Sequence, residues 1–315
     1  MSERRPPLAV DLESGLPPDV AGTVATVGTF DGVHLGHQDV LRRLADRATA
    51  LGLRSVLVTF GGHPLDLLRP EAAPLQLTPG REKLEAIAGT GIDYVAVLPF
   101  TPALAALDAD EFVDRVLLDR LRMRALFVGH DHGFGRNRSG DAATLRALGA
   151  ERGFAVDVIA PVTVDGGATA SSTAVRRAVL AGELDAAAAM LGRRYSAAGR
   201  VVHGEARGRL LGYPTLNVGL PDPRKLLPPA GVYAVRVQTP SGAFGGMLNL
   251  GGRPTFGDDR LSIEAHLFDA GGDWYGAAVR VDFVRRLREV RRFDSADALV
   301  AQLRDDETAA RTALR

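Results

Sequence analysis

No cysteine occurs anywhere in the 315 residues of this chain. That excludes disulfides, thiolate nucleophiles and Cys-ligated zinc or iron–sulfur centres. Net charge is also missing, since Lys+Arg and Asp+Glu both total 38. No global field therefore draws the chain to nucleic acid or to a membrane surface. Anion binding must come from local constellations, which favours a small phosphorylated ligand. No stretch approaches the roughly 20 apolar residues that a bilayer span needs. The early apolar run Leu8–Val10 is too short for a signal-peptide core, so a cytoplasmic protein is expected. What remains is an ordinary globular composition, 46% apolar and 24% charged. Its length suggests two domains, because compact domains hold roughly 100–200 residues.

The first 160 or so positions alternate β-branched runs with helical patterns. Thr23–Thr29, Arg54–Phe60, Tyr94–Leu98, Ala125–Val128 and Ala155–Ile159 read as buried strands. Gln38–Ala50 places Leu41, Leu44, Ala45 and Ala48 on one helical face, and Arg81–Ala88 and Glu111–Leu121 behave similarly. Asp108 with Glu111 forms a capping-box pattern. This alternation predicts a doubly wound parallel sheet, with ligands outside the carboxyl ends of its strands. Ser171–Ala181 and Leu184–Leu191 read as two further helices. Beyond Arg193, short runs (Val232–Val237, Gly246–Leu250, Ile263–Phe268, Val279–Phe283) separated by turn residues predict a small antiparallel β-barrel or sandwich. A closing helix follows Ser295. The boundary is placed near Gly192, giving domains 1–192 and 193–315.

The segment Gly28-Thr-Phe-Asp-Gly-Val-His-Leu-Gly-His37 ends a strand, turns tightly and opens a helix. Backbone N–H groups and the dipole at such a helix start hold phosphate oxygens, and Gly32 and Gly36 permit close approach. His34 and His37, three apart, can face one phosphate and donate to the charge developing on a transferred group. Two surface loop histidines are the plain alternative. Ser171-Ser172-Thr173, with Arg176 and Arg177 one turn later, can cradle a triphosphate tail; in isolation it is simply a helix cap with solvated arginines.

Downstream, Gly199–Gly204 and Arg207–Asn217 are glycine-rich and basic, yet neither a P-loop nor a protein-kinase signature occurs. Thr215 and Asn217, one residue apart on an extended segment, point the same way and can share a Mg²⁺ with phosphate oxygens. Glu264 alternates with Ile263, Ala265 and Leu267, which sets it on the opposite face from those apolar residues, accessible to substrate. An ordinary hairpin and an exposed strand glutamate are the alternatives.

Taken together, the His34–His37 and Ser171–Arg176 segments resemble the His-x-Gly-His nucleotidyltransferase superfamily. The longer runs are more specific: Thr29–Gln38, Leu77-Thr-Pro-x-Arg-Glu-Lys-Leu84, Asp93–Thr101 and Phe127-Val-Gly129 with Phe134-Gly135 look like bacterial bifunctional FAD synthetases. Gly212-Tyr-Pro-Thr-Leu-Asn217, Pro229–Tyr233, Asn249–Thr255 and Ile263–Leu267 look like the riboflavin kinase domain of that family. The resemblance covers almost the whole chain in collinear order. It implies ATP-dependent phosphorylation of riboflavin to FMN, then adenylylation of FMN to FAD with release of pyrophosphate, with ATP as co-substrate and Mg²⁺ as cofactor. His34 and His37 would act in adenylyl transfer. Gly28, Phe30, Asp31, Gly32, Gly36, Ser171, Ser172, Thr173 and Arg176 would contact ATP and phosphate, and His63, Pro64, Asp131 and Phe134 the flavin. In the kinase half, Glu264 would be the general base and Thr215 and Asn217 the Mg-ATP residues. Gly204, Arg207, Gly208, Gly212, Pro214, Asn249 and Arg253 would complete the ATP and flavin contacts.

Two departures from the family pattern bear on the front half. Gly61-Gly62 replace an acidic residue and proline before His63-Pro64, and His130-Asp131-His132 fills a loop that usually carries an acidic or aromatic residue, Asp or Asn, then Phe. They motivate an alternative, a riboflavin kinase with an impaired adenylyltransferase domain. A metal site from His130, Asp131, His132 and His63 is a further reading of the same residues; tolerated loop substitutions are the plainer one. A nucleotidyltransferase for a pantetheine or nicotinate derivative leaves the barrel-like half unexplained. A flavin-storage or flavin-sensing protein would use the same pockets without needing Glu264 or His37.

Overall fold

The computed structural model of the chain describes residues 6–129, 133–136, 139–160, 169–204, 208, 211–252 and 261–315. Two compact units divide it, Met1–Ser172 and Thr173–Arg315, so the division falls before the helices that precede Gly192.

The first unit is a six-stranded parallel sheet of β1 (Leu8–Ala9), β2 (Thr23–Val27), β3 (Arg54–Phe60), β4 (Tyr94–Leu98), β5 (Met123–Gly129) and β6 (Ala155–Ile159), in the order β1-β4-β3-β2-β5-β6. Alternate strand residues feed two cores. Val24, Leu57, Val95 and Ala125 meet α1 (Leu35–Ala50) through Leu41, Leu44 and Ala48 on one side. Short α2 (Leu65–Leu68) lies between β3 and α3 (Arg81–Ala88), whose Ile87 joins that same core. Ala25, Val27, Val56 and Val58 lie in the other core. After α4 (Pro102–Ala106), that core takes in Phe112 of α5 (Ala109–Phe112), and then Leu145 and Leu148 of α6 (Ala142–Arg152). The doubly wound sheet expected from the alternation is therefore present. The Asp108–Glu111 capping box forms in both directions. The predicted helix Glu111–Leu121 is different: α5 passes into a π-helical turn, Val113–Leu118. Its extra residue per turn breaks the 3.6-residue reading.

The chain runs from β2 outward to β3 and β4, then returns to place β5 on the other side of β2. The loop after β2 thus stands at the switch point of the sheet, where ligands of open α/β sheets bind.

The second unit holds α7 (Ser172–Ala181) from Thr173 onward, α8 (Leu184–Leu191) and a closed antiparallel barrel. Its strands are β7 (Ser196–Val202), β8 (Leu216–Gly219), β9 (Gly231–Thr239), β10 (Gly242–Gly252), β11 (Leu261–Leu267) and β12 (Ala278–Arg288), closing as β10-β11-β8-β7-β12-β9. Tyr233, Val235, Leu248, Ile263, Ala265, Val281 and Phe283 are buried. Helix α9 (Ala296–Ala313), capped by Ser295 as expected, puts Ala310 against Ala234, Met247, Phe268 and Val284. β7 and β8 are additions to the strands read from sequence.

Candidate active sites

The loop between β2 and α1 is wound tightly. Phe30 and Val33 take φ of 45° and 40°, in the left-handed region, as does Gly32 at 83°. For a β-branched residue such as Val33 that is a strained conformation, of the kind that gathers at ligand sites. At Gly32 a Cβ would stand 2.7 Å from Leu77 Cδ1, so only glycine fits. Asp31 explains how the strain is held. Its buried carboxylate accepts from the Leu77 and Thr78 amides at 3.0 and 2.9 Å, and Thr78 Oγ1 in turn accepts from the Gly32 amide at 2.8 Å. Ser172 Oγ donates to Asp31 O at 2.8 Å.

His34 caps α1, its Nδ1 accepting from the His37 amide. An accepting Nδ1 places the imidazole proton on Nε2, leaving that nitrogen as the donor. A Cβ at Gly36 would stand 3.1 Å from the His34 ring, tighter than ordinary contact. The two imidazoles stack with centroids 3.7 Å apart, and His37 also lies 4.5 Å from the Phe30 ring. His37 Nδ1 is buried and has no hydrogen-bond partner among the described residues. Burial above all, then the charges of His34 and Lys83, hold the His37 imidazole well below its ordinary pKa. The His37 ring is therefore held in its neutral form. Lys83, 5% exposed, donates from Nζ to Phe60 O at 2.8 Å.

The remaining predicted front-half residues are placed less uniformly. His63 stands after β3, its Nδ1 accepting from the Leu65 amide and its own amide donating to Asp66. Pro64 precedes α2. Phe134 is buried in the core against Phe112, ring centroids 5.1 Å apart. Ser171 immediately precedes α7, while Thr173 and Arg176 belong to the part of α7 in the second unit. Asp131, with His130 and His132, lies outside the described residues, as do Arg207 and Arg253. Sequence reasoning quoted Thr78 and Lys83 within a motif but gave neither a role. Their signal was a hydroxyl and a lysine in a run otherwise reading as an amphipathic helix start.

In the barrel unit, a pocket of about 440 Å³ is lined by Gly204, Pro214, Thr215, Asn217 and Ala265, and by the turn ending in Trp274 and Tyr275. Asn217 is buried, and a Cβ on Gly204 would come within 2.0 Å of its Nδ2. Glycine is thus required for the loop to lie on that side chain. Strand register supplies the rest. Glu264 is directly opposite Asn217 across β8–β11 and opposite Asn249 across β10–β11. Directly opposed residues of antiparallel strands share a face, with Cβ atoms roughly 4.5–5.5 Å apart. Asn217, Glu264 and Asn249 therefore share one face of the barrel sheet, and of the three Asn217 lines the pocket. His266 follows on the Glu264 face, its Nδ1 2.8 Å from Pro214 O. Gly208 accepts at its carbonyl from the Leu211 and Tyr213 amides, and Gly212 has φ of 83°. The Trp274–Tyr275 turn escaped the sequence reading, although two aromatics after Gly271-Gly272-Asp273 mark an exposed, ligand-sized corner. The side-chain oxygens of Thr215 and Asn217, both lining the pocket, are hard donors and few in number, which suits Mg²⁺ shared with phosphate.

A family model described as FAD synthetase matches residues 16–174, and one described as riboflavin kinase matches residues 191–314. A bifunctional riboflavin kinase/FMN adenylyltransferase of Pseudomonas fluorescens is 43% identical over 297 residues, covering 94% of each chain. Its counterpart in Escherichia coli K12 is 40% identical over 295 residues, covering 92% of each. A solved structure from Streptococcus pneumoniae, described as a macrolide-efflux protein, is 31% identical, covers 97% of this chain and 99% of its own, and superposes with a TM-score of 0.85. The efflux designation stays with the pneumococcal protein; among the described residues here, no helix is long and apolar enough to cross a membrane. Two matched family models in tandem, over both halves, carry the conclusion that this chain belongs to the bifunctional riboflavin kinase/FMN adenylyltransferase family.

Proposed function

We propose that the chain phosphorylates riboflavin to FMN in its barrel unit and adenylylates FMN to FAD at the Gly28–His37 loop, using ATP in both steps. The observation that carries the kinase assignment is the register that sets Glu264 directly opposite Asn217 beside the Thr215-lined pocket. Glu264 accepts the proton of the flavin 5′-hydroxyl as its oxygen attacks the γ-phosphorus of ATP, and ADP leaves. Thr215 and Asn217 would hold Mg²⁺, which when bound neutralises phosphate charge. Gly204 keeps Asn217 in place from above, and Asn249 shares the face of Asn217 and Glu264.

In the second step an FMN phosphate oxygen attacks the α-phosphorus of ATP in line, and pyrophosphate leaves. His34 Nε2–H and the neutral His37 ring donate to the non-bridging oxygens as charge grows there, and the α1 N-terminus adds its positive end. Asp31 acts behind the loop, holding its strained turn. We place the boundary near Gly192, close to the start of the riboflavin kinase match at residue 191, and place the enzyme in the cytoplasm.

The impaired-adenylyltransferase alternative gains no support from the glycines that motivated it. A Cβ at Gly61 would meet its neighbours at 3.9 Å, and one at Gly62 would reach Asp66 Oδ2 at 3.4 Å, both ordinary contacts. Neither glycine is forced by its surroundings, so neither marks a rebuilt loop. Purified chain incubated with Mg²⁺, ATP and either riboflavin or FMN tests the whole reading by chromatography of the products. FAD from both is the expected result. FMN accumulating without FAD would restore the alternative, and no flavin product would overturn the proposal.

A further inference from the structure

A buried cation lies under the adenylyl-transfer loop with no part in the two steps above. Lys83 is 5% exposed, and the one hydrogen bond it makes among the described residues runs 2.8 Å to the carbonyl of Phe60, at the carboxyl end of β3. It occupies the first turn of α3. Both placements cost stability. Burial strips an ammonium of its hydration, and the first turn of a helix already carries the positive end of the dipole. An apolar or acidic side chain would serve the fold better there.

The surroundings supply the reason for a cation. The entry to α3 is strapped to the loop because Asp31 takes the Leu77 and Thr78 amides. Thr59 Oγ1, next to Phe60, donates to Thr29 O at 3.1 Å, so the end of β3 and the start of the loop are one framework. Lys83 is fixed into it. We propose that Lys83 is a positioning residue of adenylyl transfer, supplying a buried positive charge from the framework that holds the loop and keeping His37, stacked on His34, at work as a neutral donor. This rests on the adenylylation reading above.

His34 stacks on His37, Lys83 bears on it from α3, and Asp31 faces Lys83 from the loop and offsets part of its burial. Within that set the sign is settled. A cation beside an imidazole disfavours its protonation, so removing Lys83 lets His37 protonate at higher pH.

The test is the pH profile of FAD formation from FMN and Mg-ATP by the full chain and its Lys83→Met and Lys83→Arg variants. Lys83→Met is expected to lose about tenfold in kcat at neutral pH, with the acidic limb moved up by about one pH unit. Lys83→Arg, which keeps the charge, should leave the limb near its original position. A Lys83→Met limb that does not move, in a series where the parent chain makes FAD, overturns the inference. A parent chain that makes no FAD at any pH overturns the adenylylation reading instead. Imidazole nitrogen shifts of the unmodified ¹⁵N-labelled protein give a second measurement that needs no variant to fold. A neutral His37 at pH 6 is expected, and an imidazolium signal from it would sink the proposal.

Discussion

At the residue scale, the kinase assignment narrows to one carboxylate. Glu264→Gln keeps the size and the place opposite Asn217 and Asn249 but removes the proton acceptor. Riboflavin phosphorylation should fall by about 10²–10⁴-fold with the unfolding midpoint unchanged; activity retained within a few-fold would assign the base elsewhere. Gly204→Ala tests the geometry rather than the chemistry. A methyl placed 2.0 Å from Asn217 Nδ2 must displace either the loop or the amide. Misplacement of that order should lower kcat/KM for Mg-ATP by about tenfold or more, read with ATP varied and FMN adenylylation as the internal reference. How far such residues were legible depends on what fixes them. Thr215 and Asn217 follow from a two-residue period, and Glu264 from its alternation with apolar neighbours, so backbone pattern sufficed. The cap made by His34 Nδ1 depends on a rotamer, and no periodicity carries that. Phe134 is the converse. Read as a flavin contact from its motif, it lies in the core against Phe112, because a single aromatic between glycines looks alike whether it faces ligand or core.

At the scale of elements, sequence was clearest where one periodicity acted alone. The strands Arg54–Phe60, Tyr94–Leu98 and Ala155–Ile159 and the helices Arg81–Ala88 and Leu184–Leu191 occupy the expected residues. β7 was missed because its sequence, Ser-Ala-Ala-Gly-Arg-Val-Val, carries little β-propensity. The structure supplies the reason: a Cβ at Gly199 would stand 2.4 Å from Gly219 O, so the small residues buy a close β7–β8 approach at the site's edge. Side-chain pairing between elements was equally invisible to local pattern. Helix α9 is pinned to β12 by Arg288, whose Nε and Nη2 reach the two oxygens of Asp306 at 2.8 and 2.6 Å, with Gln302 donating to the same carboxylate. Asp306 is 4% exposed and Arg288 20% at their side chains. Losing one partner of a fully buried pair costs about 3–5 kcal/mol. The partial exposure of Arg288 lowers the expectation for Asp306→Ala to about 2–3 kcal/mol, measured by denaturant unfolding followed through the barrel's lone tryptophan, Trp274. A loss below about 0.5 kcal/mol would mean that apolar packing of Ala310 and Leu303 holds α9 without the pair.

For the whole molecule, the decisive feature is that each unit owns a core: two layers on the faces of the parallel sheet in one, and the closed barrel with its covering helix in the other. The proposed kinase residues Thr215, Asn217 and Glu264 all belong to the second unit, and the His34–His37 pair with its supports Asp31, Thr78 and Lys83 to the first. Neither half-reaction, so built, draws its proton-handling groups from the other. FMN is then expected to be a released product of one chemistry and a substrate of the next. His37→Ala should retain riboflavin phosphorylation and lose FAD synthesis, while Glu264→Gln should do the reverse. Mixed in one vessel with riboflavin, ATP and Mg²⁺, the two inactive-for-FAD variants should together produce FAD, after a lag in which free FMN rises to the level the adenylyltransferase requires. Chromatographic time courses at several ratios of the variants read this directly, the lag shortening as the kinase-competent variant is raised. Failure of the mixture, with each variant active in its own half-reaction, would mean that FMN passes between sites without release. The two units would then work as one device despite their separate cores.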